Sequence, residues 1–131
     1  MSQKLAESFG LALSVIVMGS AAFAASPNKP IPGYRCMMLD LTEKQSMDPS
    51  VHVQVRSDPS PGAPVVGSAS AVVIVKDGAS PTNGYLPMLF STGKQVWILA
   101  NQVRPFRSVS DPNARCFPVV LPSGLVGISS K

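Results

Sequence analysis

The chain has 131 residues, enough for one domain and too few for two comfortable cores. Charged residues make up 14%, against roughly 25% in ordinary globular domains, and 13 prolines are spread along it. A formal charge of +4 is too little concentrated to imply nucleic acid, and low charge with many prolines and few long periodic runs argues for short strands and loops rather than helices.

Residues 1–24 have the layout of an export signal. Lys4 precedes an apolar run from Phe9 to Met18, and Ala22-Phe23-Ala24 is the small-x-small step a signal peptidase accepts. Cleavage is expected after Ala24, giving an exported, periplasmic chain. The apolar run is shorter than the roughly 20 residues of a membrane span, so membrane association is expected only through a partner. Cys36 and Cys116 both lie in the exported part, and an even count in an oxidising compartment favours a disulfide between them. The competing uses are poorly supplied. A zinc site needs four ligands, and the chain has two cysteines and one histidine, His52; a catalytic thiol needs a free cysteine beside that histidine, and both cysteines are expected to be paired.

Residues 25–50 form an N-terminal extension that starts with a proline-rich lead-in, Ala25 to Pro32, expected as extended polyproline. Tyr34 to Leu39 reads as a strand tethered by Cys36, and Thr42 to Ser46 as a helical turn or loop. Val51-His52-Val53-Gln54-Val55-Arg56 alternates with period two, placing His52 and Gln54 opposite the valines. Ser57 to Pro64 is a proline-rich loop. Val65-Val66-Gly67 and Val72 to Val75 are β-branched strands, the second too apolar for a surface. Asn83-Gly84 marks a turn. Tyr85–Phe90 and Gln95–Leu99 then form a hairpin around Ser91-Thr92-Gly93-Lys94, with Pro87 restricting the first strand to an edge or a bulge. Ala100 to Gln102 reads as a single helical turn before Val103 to Phe106. Short strands with proline-rich connections over 51–106 predict a small barrel, which buries strands without leaving edges. Residues 107–131 form a C-terminal extension, an apolar hairpin turning at Pro122-Ser123-Gly124.

The stretch from Val51 to Phe106 resembles the bacterial Src-homology-3-like (SH3-like) domains of exported envelope proteins. Val55-Arg56-Ser57-Asp58-Pro59-Ser60 is similar to their valine-arginine-serine-glycine-proline opening, and Pro64-Val65-Val66-Gly67 to their second step. Gly84-Tyr85 stands where the family starts a strand with glycine-tryptophan, and Gly93-Lys94-Gln95-Val96-Trp97-Ile98 follows the last turn and strand. Asp58, Tyr85 and Val96 depart from the family's glycine, tryptophan and glycine. The resemblance implies an all-β fold: an SH3-like barrel, here with an N-terminal extension and a C-terminal hairpin joined by a disulfide.

No catalytic constellation is visible. Asp40, Glu43, Asp48, Asp58, Asp77 and Asp111 occupy turn-like positions, no phosphate-binding glycine pattern occurs, and no cofactor or metal is expected. Met37, Met38, Met47 and Met88 read as adaptable packing rather than a copper set. The expected function is therefore non-catalytic protein binding, as an accessory or assembly subunit of an envelope complex. The small subunit of a quinoprotein alcohol dehydrogenase is the specific candidate, on likeness of size and character. A cell-wall module that binds peptidoglycan or peptide through Tyr85 and Trp97 is the alternative. Candidate binding residues are Tyr85, Trp97, Arg104, Arg107, Phe117 and Leu125: two aromatics, two of the cations in the Arg104–Arg107–Arg115 stretch, and two apolar residues of the tail.

Overall fold

The computed structural model describes residues 28–130, so the expected signal and its cleavage point lie outside the described residues. Among the described residues the regular structure is all-β apart from two short turns of helix. The strands are β1 (Lys29–Pro30), β2 (Tyr34–Leu39), β3 (Gln54–Arg56), β4 (Val65–Ser68), β5 (Val72–Lys76), β6 (Tyr85–Leu89), β7 (Gln95–Leu99), β8 (Val103–Pro105), β9 (Cys116–Val120) and β10 (Val126–Ser130). Between β2 and β3 lies one helical turn, α1 (Glu43–Ser46), and between β7 and β8 a 3-10 turn, Ala100–Gln102. A reciprocal capping box starts α1. The Thr42 hydroxyl accepts from Gln45 N–H, and the Gln45 side chain accepts from Thr42 N–H.

Seven strands make one antiparallel sheet in the order β4-β3-β7-β6-β5-β2-β8. It wraps a core of Met37, Leu39, Val53, Val55, Val73, Val75, Leu86, Met88, Val96, Ile98 and Val103. Val55, Val96 and Ile98 are fully buried, as the alternation in β3 and β7 requires. The closed barrel expected over 51–106 is not seen. The sheet ends at β4 and β8 with no pairing between them among the described residues, and β2, from before Val51, takes the position between β5 and β8. By occupying the outer edge of β5 it completes the sheet from a segment read as an extension.

Pro87 also departs from expectation, because β6 is a central strand. Phe90 N–H donates to Lys94 O and Ala100 N–H to Gly84 O, which turns the even-numbered groups of β6 towards β7. The Pro87 nitrogen therefore faces β5, and the β5–β6 ladder stops at Val75↔Met88, one residue short of it. A missing donor costs nothing where no acceptor is waiting.

A second sheet, β1-β9-β10, packs on the first. The described part of the lead-in is held on the second sheet: Lys29 and Pro30 pair with Val120 and Val119, and Ile31 N–H donates to Pro118 O at 3.0 Å. The expected C-terminal hairpin is present, from Val126↔Val120 to Ser130↔Cys116. It covers the outer face of β2 and β5, where Cys36 and Ile74 are buried outside the main core and Val119 is buried opposite them. The Cys36–Cys116 disulfide ties β2 to β9 across 80 residues of sequence.

Candidate functional site

The first candidate surface arises where the two sheets meet. Val126 N–H donates to Ser91 O at 2.7 Å, docking the start of β10 on the β6–β7 turn. Beyond that bond the sheets diverge and leave a groove of about 640 Å³. Ser68 to Ile74 form one wall, Met88 to Ser91 the base of the turn, and Val126 to Ile128 the other wall. No charged residue lines it. Because Val126 directs its N–H away from β9, Ile128, two residues on, presents its N–H and C=O to the same open edge.

The four terminal strands of the two sheets are not protected alike. β1 carries Lys29 and Pro30, and β8 carries Arg104 and Pro105, the charge and proline that discourage strand addition. β4 (Val-Val-Gly-Ser) and β10 (Val-Gly-Ile-Ser-Ser) carry neither. Ser68 of β4 and residues 126–128 of β10 both line the groove. Val65, Leu125 and Ile128 are 45%, 47% and 43% exposed, large apolar side chains presented by these two strands and the adjoining turn.

The second surface is a polar pocket of about 130 Å³ lined by His52, Gln54, Arg56, Tyr85, Leu99 and Gln102. It lies on the outer face of β3, β7 and β6. Arg56↔Trp97 and Tyr85↔Leu99 set the registers, which put Gln54, Leu99 and Tyr85 in one cross-strand row. Arg56 is held in place by its Nη1, which donates to Ala63 O at 2.7 Å. The 57–64 loop is in turn tied to the β6 side by Asn83 Nδ2, which donates to Pro59 O.

The candidate residues from sequence do not converge. Tyr85 lines the polar pocket but is 4% exposed, so its ring is packed rather than displayed. Trp97 stands half-buried in the next row, opposite Arg56 and Pro87. Arg104 is on the β8 edge, with Nε 3.9 Å from Asp40 and 3.5 Å from Leu39 O, and Arg107 is exposed beyond it with its N–H on Met38 Sδ. Phe117 and Leu125 lie on the C-terminal hairpin, 38% and 47% exposed. Sequence reading missed the groove because its walls are small or apolar residues with no motif. It placed His52 and Gln54 on a polar face, but not the neighbouring strand and turn that bring Tyr85, Leu99 and Gln102 to them.

Among the described residues no group of three or more His, Cys, Asp or Glu side chains is placed to hold a metal, and no helix is long and apolar enough to cross a membrane. No protein-family model, no curated protein and no solved structure matches the chain.

Proposed function

We propose that this chain is a non-catalytic, exported protein-binding module, an accessory or assembly subunit of a periplasmic or membrane-associated complex. The observation that carries this reading is the uncharged groove between β5 and β10, bordered by two sheet edges that lack charge and proline. Such an edge offers main-chain hydrogen bonds to an extended segment of another protein, and the apolar walls take its alternate side chains. A partner would also cover Leu125 and Ile128. Export to the periplasm accounts for the Cys36–Cys116 disulfide. An SH3-like scaffold is supported by the order of the motif segments, which supply β3, β4, β6 and β7 in turn. Association with a quinoprotein alcohol dehydrogenase remains the specific form of the proposal.

The wall-binding alternative needs an aromatic face, and burial of Tyr85 leaves Trp97 alone to provide it. Affinity purification from native envelope should yield a defined complex, and Ile128→Lys should abolish capture while leaving the β-sheet circular dichroism unchanged. A free monodisperse monomer that co-purifies with nothing, or capture indifferent to Ile128→Lys, overturns the subunit reading. Retention on purified murein that is lost in Trp97→Ala would establish the alternative.

A further inference from the structure

We propose that the pocket bounded by His52, Gln54, Arg56, Tyr85 and Gln102 binds a carboxylate group. It shares no residue with the groove, so the two readings stand or fall separately.

Arg56 is the cation of the pocket. The ion pairs among the described residues join Arg35 to Asp77 and Arg104 to Asp40, and neither involves Arg56. Its Nη1 is committed to Ala63 O, which fixes the plane of the guanidinium and leaves the Nε and Nη2 edge as a fork. Such a fork matches the two oxygens of a carboxylate. The remaining polar lining side chains can all donate: the amides of Gln54 and Gln102, the imidazole of His52 and the phenol of Tyr85. No Asp or Glu lines the pocket to compete.

Tyr85 is the second observation. It is 4% exposed, and its hydroxyl has no hydrogen-bond partner among the described residues. A tyrosine hydroxyl with no protein partner, on a side chain that lines a pocket, is free to donate to an acceptor held there. An acceptor oxygen in the pocket beside it would complete the set. The pocket, about 130 Å³ and open to solvent, has room for a group as small as a carboxylate. Two sources carry this group, a chain terminus and an acidic side chain.

Nuclear magnetic resonance titration of the disulfide-intact protein tests this. Acetate, N-acetylglycine (a terminal carboxylate) and N-acetylglutamate α-amide (a side-chain carboxylate) should each give saturable shifts confined to residues 52–56, 85 and 99–102. The tighter of the last two identifies the source. The neutral N-acetylglycinamide should give none. Arg56→Gln should weaken acetate binding about tenfold or more, as expected for loss of a charge-assisted pair, and Tyr85→Phe about two- to fivefold. If Arg56→Gln fails to fold, Arg56→Lys, which keeps the charge and loses the fork, should still weaken binding. Shifts of equal size with the neutral amide, tighter binding of inorganic phosphate than of acetate, no saturable shift, or binding unchanged in a folded Arg56 variant would each overturn the proposal.

Discussion

At the scale of single residues, two glycines show how similar distances carry different costs. A Cβ on Gly67 would lie 3.0 Å from Phe90 Cζ, a ring packed against the core. A Cβ on Gly127 would lie 2.9 Å from Leu121 Cδ1, the far end of a flexible side chain. Gly67→Ala should therefore destabilise by about 1–3 kcal/mol and Gly127→Ala by less than about 1 kcal/mol in urea denaturation. Equal effects would mean that the Phe90 ring yields as readily as Leu121. Asp48 gives a second residue-level test. Hydrogen bonds from the Ser50 hydroxyl, at 2.7 Å, and from Ser50 N–H, at 2.9 Å, stabilise the carboxylate and lower its pKa. A lowered folded-state pKa contributes stability above the unfolded value, and that contribution is lost as pH falls through the folded one. Ser50→Ala removes the larger cause and keeps the smaller. The Asp48 carboxyl resonance should then titrate at higher pH than in the parent, and an unchanged titration would refute the assignment. The surface pairs Arg35–Asp77 and Arg104–Asp40 are both largely solvated and contribute little.

At the scale of elements, the chain closes two hairpins with the same device. Gly93 N–H donates to Phe90 O while Phe90 N–H donates to Lys94 O. Gly124 N–H donates to Leu121 O while Leu121 N–H donates to Leu125 O. Gly93 and Gly124 sit at φ of 86° and 90°, the left-handed position that a type I turn with a bulge requires. At the opposite end of β6, Asn83 and Gly84 both have positive φ, as a two-residue type I′ turn needs. The disulfide acts between elements. Closing a loop of 80 residues restricts the unfolded chain by about 4 kcal/mol in the entropy model. Cys36→Ser/Cys116→Ser should lose stability of that order, with faster amide exchange in β9 and β10 than in β6 and β7. Uniform exchange across both sheets would show that the hairpin and the main sheet open as one unit.

At the scale of the whole molecule, the two sheets meet along β2 and β9 and part along β5 and β10. The join buries Cys36, Ile74 and Val119, and the gap leaves the groove. The proposed export makes one prediction independent of any partner. Intact mass of protein recovered from the envelope should correspond to a chain that begins at Ala25, and should rise by two hydrogens on reduction. A mass that includes Met1 would remove the compartment from the argument, and no change on reduction would remove the disulfide in the native source.

Local chemistry carried most of the strands. Alternation set the faces of β3, Asn83-Gly84 and Gly93 set turns, and the β-branched run from Val72 to Val75 identified a strand too apolar for a surface. The even cysteine count and the apolar run from Phe9 to Met18 point to the disulfide. The sequence was mute on pairings between distant segments, because a strand's composition does not specify its neighbour. Nothing in Tyr34 to Leu39 says that it lies between β5 and β8, nor in Lys29-Pro30 that it extends the C-terminal hairpin. Pro87 misled for the same reason: its cost depends on which neighbour its nitrogen faces, and that is decided by where the β5 ladder stops. Both proposed binding surfaces belong to this non-local part of the fold. The groove exists because β10 docks at Ser91 and then diverges, and the polar pocket because register across β3, β7 and β6 brings Arg56, Gln54 and Tyr85 to one face.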